Sequence, residues 1–144
     1  MKPVQLLAVF AENKPDQLAR ISRELADASV NIHWVGIADV QKFGVIRFLV
    51  DKCDLAYQWL KQHDFTISLV EVLAVEVEDR PGGLADILRV LASDKVNVEY
   101  MYGFVEKSGG KALMVFRFEE PERAIEALTR NKLKVIGPTD IVSL

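Results

Sequence analysis

The chain has little that would staple it, anchor it or charge it for a special surface. It carries one cysteine, Cys53, in 144 residues. No internal disulfide can form, and with no second thiol Cys53 is a poor nucleus for a metal site. A reducing cytoplasm is the expected compartment. No apolar run approaches the roughly 20 residues that a spanning helix needs. The opening Met1-Lys2-Pro3-Val4 leads straight into an apolar segment, without a signal-peptide charge pattern or a small-residue cleavage site. No membrane association is expected. A basic surplus is missing too: 18 Lys and Arg stand against 21 Asp and Glu, for a net charge of -3. That balance argues against a nucleic-acid partner, which calls for a basic face. The two histidines, His33 and His63, share no metal-ligand spacing, and no Ser/His/Asp or Cys/His pattern is visible. Metal, cofactor and catalysis are therefore not expected.

What is present is ordinary globular material, 50% apolar and 27% charged. Val4 to Phe10 reads as a buried strand. Asn13-Lys14-Pro15-Asp16 punctuates it, with Pro15 suited to a first helical turn. Leu18, Ile21, Leu25 and Ala26 then mark the apolar face of a helix. A second strand covers Ile32 to Ala38, a turn falls near Asp39 to Lys42, and a third strand runs from Val45 to Val50. Asp54 to Gln62 is a helix with Leu55, Trp59 and Leu60, and Cys53 sits at its start. Phe65 to Glu78 is a long extended run.

The chain then repeats itself. Pro15 falls on Pro81, Leu18 on Leu84, Ala19 on Ala85, Ile21 on Ile87, and Val30-Asn31-Ile32 on Val96-Asn97-Val98, all at an offset of 66. Beyond the second strand the offset is 68: Phe48 on Phe116, Ala56 on Ala124, Leu60 on Leu128, Phe65 on Leu133. The two extra residues belong to the loop around Lys107 to Gly110, where insertions are tolerated. Each copy reads strand, helix, strand, strand, helix, strand. The expected fold class is α+β, two ferredoxin-like βαββαβ units in residues 1–70 and 71–144. A unit of about 70 residues is marginal alone. Two in one chain can cover each other, and the short connection implies tight docking.

The second copy carries the more informative junction. Leu73, Val75 and Val77 alternate with Ala74, Glu76 and Glu78, then Asp79-Arg80-Pro81-Gly82-Gly83 breaks the strand. Leu84, Ile87, Leu88 and Leu91 recur at helical spacing after it. A glycine pair between a strand end and a helix start lets another group approach N–H donors that lack intrahelical partners. A small carboxylate fits such a site; so does a loop whose glycines only permit the turn. Asp79 is equally placed to cap the helix. Asn31 and Asn97 enter equivalent strands, where Asn tolerates left-handed turn geometry, so a structural role is favoured. Trp34, Tyr100 and Tyr102 are read as core aromatics.

Asp79-Arg80-Pro81-Gly82-Gly83-Leu84, a helix, and then Val96-Asn97-Val98 resembles the ACT domain family, and the βαββαβ order covers the whole chain. The first copy departs from the motif: Asn13-Lys14-Pro15-Asp16 keeps the proline but has no glycine. The resemblance implies a stand-alone tandem ACT protein, allosteric and regulatory, that binds an amino acid at an interface between ACT units. Its matching loop positions are Asn13, Lys14, Pro15 and Asp16 in copy one and Asp79, Arg80, Pro81, Gly82, Gly83 and Leu84 in copy two. Asn31 and Asn97, beside their favoured structural role, could add a supporting polar contact to the ligand. N–H groups around Gly82 to Leu84 would hold the α-carboxylate, with Asp79 or Asn13 accepting from the α-ammonium. Arg80 pairs with the carboxylate or stays solvated.

Three other classes compete. A ligand-free assembly module needs only the packing surfaces. A small enzyme on the same scaffold needs an acid–base pair that the sequence does not advertise. RNA binding would use Phe116 and Phe118 as stacking platforms, against the acidic balance. A homodimer is expected, because Val45 to Val50 is apolar on both faces and helices cover only one. A metabolic enzyme or regulator is the expected respondent.

Overall fold

The computed structural model describes residues 3–12, 14–38, 42–105 and 110–138. The chain divides into two compact units: Gln5–Val70, called the first unit here, and Glu71–Leu144 with Met1–Val4, the second. The first unit holds β1 (Val4–Glu12), α1 (Gln17–Asp27), β2 (Ile32–Ala38), β3 (Phe43–Val50), α2 (Cys53–Gln62) and the start of β4 (Thr66–Glu78). The second holds the rest of β4, then α3 (Gly83–Ser93), β5 (Val98–Val105), β6 (Lys111–Phe118), α4 (Pro121–Arg130) and the short β7 (Val135–Ile136). The ferredoxin-like α+β architecture read from the repeat is what the chain adopts.

In the first unit β3 lies between β2 and β1, antiparallel to both. Its core takes Leu7 and Val9 from β1, Ile46, Phe48 and Val50 from β3, Ile21 and Leu25 from α1, and Ala56 and Leu60 from α2. Ile67 and Leu69, early in β4, pack against it. In the second unit β6 lies between β5 and β4, and β7 pairs with β4 on the other side. Leu73, Val75, Val77, Phe116, Phe118, Ile87, Leu91, Ala124 and Leu128 form that core. Eight of the nine positions in each list correspond under the offsets of 66 and 68; Ile46 and Val77 answer to Met114 and Ala11, which are only partly buried.

The backbone repeats in finer detail than the side chains. Each second strand carries a register irregularity at its second residue, between Ile32 and Trp34 and between Val98 and Tyr100. Positive φ falls on Ser29 and Lys95, both at 57°, and on Asp64 and Lys132. The Asp51 N–H donates to the Asn31 carbonyl at 3.1 Å, as the Glu119 N–H does to Asn97 at 3.3 Å.

Several side-chain expectations change. Leu18 and Ala26 of α1 are exposed; the buried stripe is Ile21, Leu25 and then Ala28, because α1 turns its first-turn leucine off the core. Leu55 is exposed and Ala56 is buried in its place. Pro15 lies in the turn before α1, whose first residue is Gln17. Left-handed geometry belongs to Ser29 and Lys95, two residues ahead of the asparagines. Trp34, Tyr100 and Tyr102 belong to neither core; they are half-buried, with the two tyrosine rings edge-on at 5.6 Å. Phe116 and Phe118 are buried under the second unit's helices and stacked on each other at 5.4 Å, so neither is available to a base. On β3, Leu49 is buried on the side away from the helices, as its unbroken apolar run implied.

Candidate functional site

The second unit's junction is built by a sequence of short hydrogen bonds. Asp79 N–H donates to the Gly110 carbonyl at 2.9 Å, Arg80 N–H to Glu78 at 3.0 Å, and Gly83 N–H to Arg80 at 3.0 Å. Gly82 is the N-cap of α3 at φ 88°, ψ -10°, a left-handed conformation open to glycine. Asp86 N–H closes the first helical bond onto Gly82 at 2.9 Å. Among the described residues no side-chain hydrogen bond caps the helix, so Asp79 is not the cap.

The two glycines do different things. A Cβ on Gly83 would lie 2.0 Å from the Glu78 carbonyl oxygen, so this residue is glycine because the helix start presses on the preceding strand. A Cβ on Gly82 would meet only the Arg80 guanidinium, at 3.3 Å. A side chain could therefore be added at Gly82, where only the flexible Arg80 must give way, and not at Gly83. The close approach expected of the pair is, at Gly83, an approach of the protein's own backbone.

Arg80 is exposed to solvent and engaged in three hydrogen bonds. Its Nη2 donates to Asp86 at 2.8 Å, its Nε to Glu78 at 2.5 Å and its Nη1 to the Pro81 carbonyl at 3.0 Å. These bonds to Asp86 and Glu78 raise its pKa above the ordinary arginine value. It braces the α3 N-terminus against the end of β4. Beside it, Glu76 takes Lys111 at 2.7 Å and Lys134 at 3.4 Å. The bond from Lys111 holds the Glu76 carboxyl below the usual carboxylate range. Between these groups lies a cleft of about 220 Å³ lined by Glu76, Glu78, Arg80, Gly83, Asp86 and Lys132, among others.

Of the second-copy loop positions, Arg80 and Gly83 line this cleft; Asp79, Pro81, Gly82 and Leu84 do not, and neither does Asn97. Asn97 Nδ2 instead donates to Glu119 at 3.4 Å, and Asn31 N–H donates to Asp51 Oδ1 at 2.9 Å. Both asparagines stitch a strand start to the neighbouring strand end. Glu76, Glu78, Asp86, Lys111, Lys132 and Lys134 escaped the sequence reading. The alternation of Glu76 and Glu78 with the core valines was the available signal for the first two.

The first unit repeats the scaffold without the opening. Lys14 N–H donates to Glu12 at 2.9 Å and Gln17 N–H to Lys14 at 3.2 Å, copying the Arg80 and Gly83 bonds. Asp16, however, is right-handed at φ -91°, where Gly82 is left-handed, and α1 too has no side-chain cap. Lys14 pairs with Glu12 at 2.7 Å, and that bond raises its pKa. Asn13 lies outside the described residues.

Among the described residues no group of three His, Cys, Asp or Glu side chains could hold a metal, and no helix is long and apolar enough to cross a membrane.

The model of an ACT domain pair matches residues 2–144. No curated protein matches the chain. Among solved structures, a protein from Bacteroides thetaiotaomicron superposes with a TM-score of 0.93 at 30% identity, over 99% of this chain and 98% of that one. The regulatory subunits of aspartate kinase from Thermus flavus and Thermus thermophilus share the fold. Their TM-scores are 0.61 and 0.62, at 13% and 15% identity, over 90% of this chain and 93% of each of theirs. With the family model spanning residues 2–144, the chain belongs to the ACT domain pair family.

Proposed function

We propose that the protein is a regulatory module that binds a small amino acid at its strand–helix loops, with residues 1–70 and 71–144 as its two ACT domains and the ligand at an ACT–ACT interface. Family membership supports a small-molecule-binding, regulatory reading over a catalytic one. The observation that carries the site is the left-handed Gly82 before an uncapped α3. The N–H groups of a helix start without a side-chain cap carry partial positive charge and suit an α-carboxylate. Arg80 and Lys132 add positive charge nearby, while Glu78 and Asp86 can accept from an α-ammonium. The first unit's loop offers Lys14, Pro15 and Asp16 on the same backbone scaffold but no glycine, so the second loop is the stronger half. A metabolic enzyme or regulator would read the bound state. The cytoplasm is the proposed location.

A thermal-shift screen of the proteinogenic amino acids tests the reading, since a ligand that binds only the native state raises the unfolding temperature with concentration. For the amino acid found, Arg80→Met should weaken calorimetric binding about tenfold or more, the scale of a lost charge-assisted contact. Its far-UV spectrum should stay unchanged. A screen with no shift at millimolar concentration sinks the ligand reading and leaves assembly as the function.

A further inference from the structure

We infer that the ligand of the second unit's loop is an acidic amino acid, its side-chain carboxylate taken by Lys132. The inference rests on the proposal that this loop is an amino-acid site, and it adds the charge class of the ligand and the residue that selects it. The chain carries a net charge of -3, yet the cleft at this loop is lined by four cations and three carboxylates. It is a positive spot on an acidic protein, and such a spot concentrates anions.

Pairing decides which of these charges a ligand can use. Glu76 is held by Lys111 and Lys134, while Glu78 and Asp86 share Arg80. Among the described residues, Lys132 is the lining cation that enters no ion pair. An amino acid with a neutral side chain brings one carboxylate, and the start of α3, without a side-chain cap, already suits it. Lys132 is then left over. A second carboxylate on the ligand gives it a partner, through a bond about twice as strong as a neutral amide would make. A basic side chain would instead meet Lys132 as a like charge.

The first copy supplies an internal comparison. Under the offset of 68, Lys132 answers to Asp64, Lys111 to Phe43 and Lys134 to Thr66. Asp64 and Lys132 hold the same left-handed backbone, at φ 66° and 58°. The turn does not call for a lysine, since asparagine and aspartate adopt this geometry more readily. All three lysines of the cleft are missing from the equivalent places, and Asp64 reverses the charge at the one that matters. Selection for an acidic ligand therefore belongs to the second unit alone.

Calorimetry of the full chain with L-aspartate, L-glutamate, L-asparagine and L-glutamine tests the inference. One acid should bind about tenfold or more tightly than its own amide. Lys132→Asp places the first copy's residue on the same backbone. It should erase that preference, weakening the acid and sparing the amide, while thermal unfolding without ligand matches the parent's. Lys95→Met, at φ 57° and outside this cleft, is the control and should keep the preference. An acid preference that survives Lys132→Asp overturns the assignment. So does a neutral or basic amino acid that binds more tightly than either acid, and both results leave the loop standing as an amino-acid site. A chain that binds no amino acid at all overturns the inference and the site together.

Discussion

Two adjacent glycines in one loop are constrained by unrelated physics, and single substitutions separate them. Gly83 faces the Glu78 carbonyl oxygen at a Cβ distance of 2.0 Å, and that oxygen belongs to a core strand that cannot give way. Gly83→Ala must push α3 off the end of β4, a steric cost of about 2–4 kcal/mol, at the high end for one substitution. At Gly82 a methyl group would meet only the flexible Arg80 guanidinium at 3.3 Å, so its main cost is the φ of 88°. Gly82→Ala should cost about 1–2 kcal/mol, the usual penalty for an L-residue in left-handed geometry. Urea unfolding of the two variants checks the order. Equal losses, or a larger one at Gly82, would mean that strain and not contact fixes the junction. The test proposed for ligand binding uses Arg80 because a side chain at Gly83 would damage the fold first.

At the scale of elements, the repeat shows one scaffold finished in two ways. Phe10 on β1 and Phe43 on β3 are diagonal neighbours on the face away from the helices, 51% and 66% exposed. Their equivalents under the two offsets are Glu76 and Lys111, which form an ion pair. The same corner of the ladder is apolar in one unit and charged in the other. Glu76 has its carboxyl pKa lowered by Lys111 first and Lys134 second. A carboxyl with a depressed folded pKa stabilises above its unfolded pKa and loses that contribution as pH falls through the folded one. The pair should therefore contribute about 1 kcal/mol at neutral pH and nothing in strong acid. Urea unfolding of the parent and of Lys111→Met, from pH 7 down to about 3, should show two curves that converge in acid. Parallel curves would assign the Lys111→Met loss to its packing alone.

The whole molecule was legible where a pattern repeats along the chain and illegible where side chains choose a face. Offsets of 66 and 68 placed the strands and helices, and eight of the nine core positions named in each unit correspond, because those positions answer to a period. Leu18 and Leu55 match the helical period and still end up exposed, since each amphipathic stripe is wider than the sheet beneath it. The Gly-Gly junction could be seen as a site, but its acidic and basic lining comes from β4, α3, β6 and the segment before β7, which no spacing joins. The element most exposed to test at this scale is β4. It is one uninterrupted strand of 13 residues, with Ile67 and Leu69 packed on the first core and Leu73, Val75 and Val77 inside the second. Unravelling either core must fray a strand that the other needs, so unfolding should be a single cooperative event. Leu25→Ala in the first core and Leu91→Ala in the second occupy equivalent, fully buried positions. Each should cost about 2–5 kcal/mol. Calorimetry should show both lowering one shared transition by similar amounts. Two resolved transitions, with only one moved by each substitution, would mean that the units melt independently and that β4 transmits nothing between them.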